Sequence, residues 1–375
     1  RPDARAMTAD GAVVLLLAGD VMTGRGIDQA LRHHAAPDLY EPVVADARAY
    51  LRLAEAAHGS VGAPLAAHEP WGDALPALLA ADVDARVVNL ETADTAGGAP
   101  WPHKGIHYRM HPANVDVLTA ARIDVCTLAN NHVLDRGRDA LRETLAVLHA
   151  AGVATAGAGV DAEAAWAPAA RPLPGGRLLV WGVALATSGV PADWAAAERR
   201  AGVALLPDLS PTSARRLAER VARERREGDV VVVSLHWGGN WVPAVPTEHR
   251  DFARRLIDGA SADVVHGHSA HHALPIELPR GRPILYGCGD LIDDYQGLGD
   301  HGPWRHDAGA LFRLEIARNS RGLQRLDVLP FRRRRLRLEH GDADTAAELK
   351  RLLQIETQAG WRAREGGGWS LVPTR

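Results

Sequence analysis

The chain has only two cysteines, Cys126 and Cys288, which excludes a disulfide framework. Each lies in an apolar, strand-like context that predicts a lone buried thiol. Long hydrophobic runs are missing too: the longest near the N-terminus covers residues 12–18, far short of the ~20 residues that cross a bilayer. That run leads directly into Gly19-Asp20 with no cleavage-site pattern, so it predicts a core strand rather than a signal peptide. Neither sign of charge dominates. A net charge of −3 and a pI near 6.7 leave no basic footprint for nucleic acid. The one basic block, Arg332-Arg333-Arg334-Arg335, sits between apolar residues and predicts an edge strand with solvated arginines. No internal repeat, low-complexity segment or linker divides the chain. These absences predict a soluble, unanchored, cytoplasmic protein without nucleic-acid or membrane partners. They leave its oligomeric state open.

What is present is an alternation of strands and helices, which predicts an α/β sandwich. At 375 residues and 46% apolar the chain can bury a large core. The strands expected are Val13–Ala18, Ala85–Asn89, Val125–Ala129, Leu178–Ala184, Val230–Leu235, Val264–His266 and Ile284–Gly287. Helices are expected over Asp139–Ala151, from Ser210-Pro211 through Arg226, over Thr247–Ile257, and from a Thr345–Glu348 capping box to about residue 360. Residues 58–76 and 94–112 lack periodicity and read as functional loops.

Polar residues stand at the ends of five of these strands. Asp20 and Glu91 offer hard oxygen donors, and Glu91, with two oxygens, can bridge two metals. Asn131 supplies an amide oxygen beside His132, an acid/base candidate that Asp135 can orient from three residues away. His236 ends another strand. Gly267-His268-Ser269-Ala270-His271 delivers two imidazoles, with His266 still inside its strand and His272 pointing elsewhere. Asp290 follows one more apolar run and faces the same region, as an outer partner or substrate contact. His301, His306 and Asp307 read as surface-loop residues. Such convergence is the layout of a two-metal hydrolytic site. Taken singly, each residue has an ordinary structural reading: a helix cap for Asp20, a salt bridge for Glu91, core packing for the tryptophans.

In order along the chain, Gly19-Asp20-Val21-Met22 with Arg25, Asn89-Leu90-Glu91-Thr92, 129–135, His236-Trp237-Gly238, 267–271 and 286–290 resemble the CapA (PgsA-type) poly-γ-glutamate synthesis family, a branch of the calcineurin-like metallophosphatases. The resemblance covers roughly residues 13–331. It implies a four-layer α/β/β/α metallophosphatase-like sandwich over residues 1–331, with 332–375 as a strand/helix extension packed on the same domain. It further implies one or two divalent ions (Mn, Zn, Fe, Co or Ca). Asp20 and His271 would hold one, Asn131, His236 and His268 the other, with Glu91 bridging and His132 alongside. Two departures stand out. Metallophosphatases carry Asp-x-His where this chain has Asp20-Val21-Met22, and CapA proteins carry Gly-Asn-Phe where it has Gly289-Asp290-Leu291.

The chain also looks like CapA-like enzymes of ribosomal peptide biosynthesis, the lasso-peptide epimerases. That similarity implies a metal-dependent peptide epimerase that inverts a Cα, such as that of a C-terminal Trp, through a metal-stabilised enolate in a precursor peptide. His132 would act on one face, and Asp290, Lys104, His103 or Asp94 on the other. Arg25, His103, Trp237 and Trp241 would contact the substrate, with Trp101 near an aromatic side chain. The alternatives are a binuclear phosphoesterase and a non-catalytic accessory of poly-γ-glutamate synthesis.

Overall fold

The computed structural model describes residues 11–298, 304–354, 361–365 and 368–374; His301 lies outside them. Its frame follows from side-chain alternation. Along the strand Val13–Val21, Val13, Leu15 and Leu17 face one apolar cluster while Val14, Leu16 and Ala18 face another. That is a strand buried on both sides. Parallel to it run Ala85–Leu90, Val125–Thr127 and Ala154–Ala156. A second sheet has its own parallel core of Gly176–Leu185, Val230–His236, Val264–His268 and Ile284–Leu285.

Three apolar layers separate four layers of secondary structure. The middle one joins the sheets face to face, with Leu15, Val87 and Val125 against Val180, Val232 and Val264. On the outside of the first sheet, Leu16 and Val88 share a cluster with Leu141, Leu145 and Leu148 of the helix Arg138–Ala150. Outside the second, Val231, Val233 and Leu235 meet Leu217 of the helix Pro211–Glu224 and Phe252 and Leu256 of Thr247–Asp258. The result is the α/β/β/α sandwich expected from the sequence. Both sets of parallel strands present their C-terminal ends to one crevice, where open α/β sheets place ligands.

The Val13–Val21 strand changes partner along its length. Residues 13–17 pair antiparallel with Ala308–Ile316, then Asp20 pairs in parallel with Asp290 on the short strand Asp290–Ile292. Gly19 permits the switch: a Cβ there would lie 1.9 Å from the Gly289 carbonyl oxygen, which accepts the Asp20 N–H at 3.0 Å.

Two expectations need correction. The arginine block is not an edge. Strand Leu323–Arg334 is flanked by Ala308–Ile316 on one side and by Arg337–His340 and Trp369–Pro373 on the other. Arg333 is buried there, pairing with Asp293 at 2.7 Å and donating to the carbonyls of Asp290, His306 and Ala308. Strand alternation turns Arg333 inward on the side of Phe331. The last helix, Ala343–Leu353, is capped by Asp342, whose Oδ1 accepts the Thr345 N–H at 2.8 Å. Thr345 is therefore a first-turn residue, not the cap, because Asp342 offers the Ncap acceptor three residues earlier.

No described helix is long and apolar enough to cross a membrane. Cys126 and Cys288 are free and buried.

Arg333→Met leaves Asp293 buried without its counter-charge, and we expect a loss of about 3–5 kcal/mol in denaturant unfolding. His249, stacked on Trp237 with ring centroids 4.3 Å apart, is held by burial at a pKa of about 4 against 6.5 when exposed. Below pH 6.5 the unfolded chain therefore binds the extra proton, and folded-state stability falls by up to ~1.4 kcal/mol per pH unit until about pH 4. In urea titrations at pH 7 and 4.5, His249→Gln should lose less stability on acidification than the wild type. Equal losses would refute this.

Candidate metal centre

Asp20, at the switch between strand partners, is fully buried. Its Oδ1 accepts from Asn89 Nδ2 at 2.7 Å and its Oδ2 from the Ser269 N–H at 3.2 Å. Asn89 lies in register with Asp20 on the adjoining strand, so pairing alone delivers it. The second sheet contributes in the same way: His236 and His268 are partners in register, and their Nδ1 atoms stand 2.8 Å apart. Asn131 Oδ1 lies 3.1 Å from His236 Nε2. Two groups of donors close enough to share an ion result, Asp20 with His236 and His268, and Asp20 with His271 and Asp290, all buried.

Asp20 is common to both groups, whereas Glu91, expected as the bridge, has Oε1 3.8 Å from both His236 Nε2 and His132 Nε2. Asp290 is an inner member, its Oδ1 2.8 Å from His271 Nδ1. Register with Asp20 puts it there, and no local motif announces that pairing.

The donor set fits divalent cations. Buried oxygens Glu91 Oε1 and Asp290 Oδ2 have no hydrogen-bond partner, and such orphans are costly unless an ion takes them up. Burial, and next the charge of Asp290, raises the Asp20 carboxyl. Burial, and next Asp20, raises Glu91. His236 and His268 are pushed down chiefly by burial, which leaves neutral imidazoles with lone pairs to give. For His271 burial opposes charging, but Asp290 first, then Glu91 and Asp20, outweigh it and lift the ring to about 10. That proton occupies the lone pair a cation would take, so an ion bound by His271 would displace it.

The loop after Val264–His268 is strained, with Ser269 and His271 at φ of +95° and +62°. Side chains seldom adopt this region, and it persists where the surroundings over-determine it. Here Ser269 Oγ donates to the Gly238 carbonyl at 3.0 Å, and the Trp241 N–H donates to Ala270.

His132 borders the cluster. Its Nδ1 is 2.6 Å from Asp135 Oδ2, and Asp135 Oδ1 meets Lys104 Nζ at 2.6 Å. Burial, and next Lys104, lowers His132 to about 4, so the ring is neutral at pH 7. We assign its proton to Nδ1 because the Asp135 contact is shorter than the 3.1 Å to Lys104. Nε2 then carries a lone pair toward Glu91. Asp135 itself stays ionised: burial opposes this, but Lys104 and then His132 overcome it. Asn130 fixes the turn, with Oδ1 accepting from the His132 and Val133 N–H groups. His266 and His272 stay out of the cluster, bonded to the Ala18 and Ala270 carbonyls.

The substrate-contact residues fare unevenly. Trp237 is a core residue: its Nε1 donates to the Tyr286 carbonyl at 3.0 Å and its ring stacks on His249 and Tyr286. A pocket-wall role for it is thereby corrected. Arg25 is likewise closed off, paired with Asp294 at 2.5 Å and Glu41 at 3.0 Å, with its guanidinium over the Tyr108 ring. Tyr108 in turn packs edge-on against His132 at 4.6 Å, so Arg25 braces the site from behind. His103 is exposed at φ +60° and joins no described contact of the cluster. Asp94 is buried beside Thr144, whose Oγ1 accepts the Asp94 N–H. Trp101 packs edge-on to Trp194 and donates its N–H to the Asp135 carbonyl. Trp241 stays at the mouth, 5.9 Å from His271 and stacked on His272. His306 leaves its expected surface position to meet Trp241 edge-on. Sequence reasoning missed Asn89, Asn130, Tyr108 and Tyr295, whose ring meets His271 edge-on at 5.9 Å and whose hydroxyl accepts from Tyr108. A polar Asn at the end of an apolar strand was the available signal for the first two.

Residues 14–295 match the family described as bacterial capsule synthesis protein PGA_cap. A Mycobacterium tuberculosis protein named a probable polyglutamine synthesis accessory protein is 44% identical over 344 residues, 91% of this chain and 90% of its own. The PGA biosynthesis protein CapA of Bacillus subtilis is 28% identical over 230 residues, 60% of this chain and 55% of its own. A crystal structure titled as a novel phosphatase, from Mycoplasma pneumoniae, aligns with 90% of this chain and 96% of its own at 12% identity, with a TM-score of 0.45. With three quarters of its length matched by one family and near-full-length likeness to the mycobacterial protein, the chain belongs to the PGA_cap capsule synthesis family.

Proposed function

We propose that this protein is a metal-dependent enzyme that removes and returns a proton next to a carbonyl of an amide-linked substrate, a peptide or glutamyl chain, and so epimerises that Cα. The observation that carries the reading is His132: a buried, neutral imidazole with Nδ1 held by Asp135 and Nε2 directed at the carboxylate cluster. Asp20, His236, His268, His271 and Asp290, with Asn131 and Glu91 beside them, would hold the ions. Bound divalent cations supply Lewis-acid stabilisation of negative charge on a substrate oxygen.

The chain's own groups divide the remaining work. His132 accepts the α-proton at Nε2, and Asp135 stabilises the imidazolium that forms. Lys104 keeps Asp135 ionised throughout. Of the groups considered for the opposite face, His103 is exposed, Asp94 is buried beside Thr144, and Lys104 shares Asp135 with His132, which leaves them less support for that role. Asp290 is the member of that set that lies in the cluster. The relatives' names, which speak of polyglutamine and PGA synthesis, support an amide-linked glutamyl substrate.

Chelator-stripped protein should regain stability with Mn(II) or Zn(II), about 2.7 kcal/mol at a free ion concentration 100-fold above Kd. Asp20→Asn, which affects both donor groups, should abolish that gain in calorimetry and lower the metal content by elemental analysis. An unchanged response would remove the centre proposed here. Metal-loaded protein in D2O should introduce deuterium at Cα of a γ-linked oligoglutamate or a Trp-terminated peptide, read by mass spectrometry with chiral amino-acid analysis. His132→Gln should slow this by about 10²–10⁴-fold. Phosphate release from a generic ester without deuterium uptake would point to hydrolysis instead, and neither signal to a non-catalytic accessory.

A further inference from the structure

A second polar cavity, on the far side of Arg25 from the cluster, has no assigned role. It is lined by Arg25, Asp28, Gln29, His107, Arg109 and Arg136, among others. Two of its charges are already satisfied. Arg25 is held by Asp294 and Glu41. Asp28 accepts from the His111 and Ala35 N–H groups and from Asn114 Nδ2 at 2.7–3.0 Å, with Gln29 Nε2 at 3.4 Å.

Arg136 is not satisfied, and Arg109 beside it is only half-buried. Among the described residues the Arg109 side chain makes one hydrogen bond, from Nη2 to the Ala36 carbonyl at 2.7 Å. Arg136 is 8% exposed, its Nε is buried without a partner, and among the described residues its side chain joins no ion pair. Its one described contact is the Tyr40 ring, 5.7 Å from the guanidinium. Burial, and next the charge of Arg136, makes Arg109 harder to keep protonated. Exposed Asp38 and Tyr40 act on Arg109 from a distance without pairing. His107, on the same wall, donates Nε2–H to the Trp101 carbonyl at 3.0 Å and leaves Nδ1 buried without a partner. Asp28 and Asp38 also line the cavity, yet neither forms an ion pair with these guanidiniums among the described residues; the buried Arg136 Nε left without a partner is costly, and the cost is recovered when an anion enters.

We propose that this cavity is a carboxylate-binding subsite in which Arg109 and Arg136 clamp one carboxylate of the substrate. A planar carboxylate takes two parallel N–H bonds from a guanidinium, and it is the smaller of the common oxyanions. The place is significant. Arg136 follows Asp135, which orients His132, and Arg109 follows Tyr108, whose ring packs on His132. A carboxylate held here fixes the substrate one residue away from both groups that position His132, whichever reaction the centre performs.

The test is calorimetric titration of metal-loaded, full-length protein with glutarate and, separately, with inorganic phosphate. The expected result is that glutarate binds more tightly than phosphate and that Arg136→Met and Arg109→Gln each weaken glutarate about tenfold or more. Metal content and unfolding temperature should hold. The subsite is refuted if the wild type does not bind glutarate, if both variants bind it as the wild type does (which places it on the metals), or if phosphate binds more tightly. Should Arg136→Met fail to fold, half-buried Arg109→Gln decides alone. Because the readout is binding, failure here is separable from failure of deuterium exchange.

Discussion

Three carboxylates, Asp20, Glu91 and Asp290, are buried in one crevice against their mutual repulsion. The register of the first sheet imposes this crowding: Asp20 faces Asn89 on one neighbouring strand and Asp290 on the other. Burying even one ionised carboxylate without a partner is expensive. The surroundings answer with whatever positive polarity they have, namely the Asn89 amide, the Ser269 N–H and the His271 ring. Those groups leave Glu91 Oε1 and Asp290 Oδ2 without hydrogen-bond partners. A site tuned for stability alone would place apolar or amide side chains here. The fold keeps the carboxylates because strand ends at a shared crevice can present them to a cation together.

The same constraint explains what was legible in the sequence. A side chain at the end of an apolar strand is placed by that strand alone, so Asp20, Glu91, Asn131, His236, His268 and His271 could be singled out by local pattern. Roles set by a distant partner could not. Asp290 becomes an inner donor only because its short strand inserts beside Asp20, 270 positions away in the chain. Trp237 sits next to His236, yet alternation sends it to the opposite side of the strand, into the outer core against His249. Arg25 follows the first motif, yet Asp294 and Glu41 capture it and turn it into a brace for Tyr108. The arginine block misled for a related reason. Composition suggested solvent, whereas a period of two places Arg333 inside with Phe331, where Asp293 and the Asp290 carbonyl await it.

Arg333 thus ties the C-terminal strands to the centre. By gripping the Asp290 carbonyl it holds the backbone of the strand whose side chain faces Asp20. Its other contacts reach Asp293, His306 and Ala308, so one guanidinium joins three segments around that strand. Residue 331 falls within the strand Leu323–Arg334, and the segment beyond it contributes directly to the geometry of the centre.

Charge then grades outward from the cluster. Its interior is acidic. Lys104 neutralises Asp135 just beyond His132, and behind Tyr108 the guanidiniums of Arg25, Arg109 and Arg136 follow, the last two without paired acids among the described residues. Divalent cations held at the cluster would offset that acidity, since two of them outweigh three carboxylates. The register that crowds Asp20 against Asp290 is what makes such neutralisation necessary. The guanidiniums lie outside this exchange, because Asp294 and Glu41 hold Arg25 away from the carboxylates of the cluster.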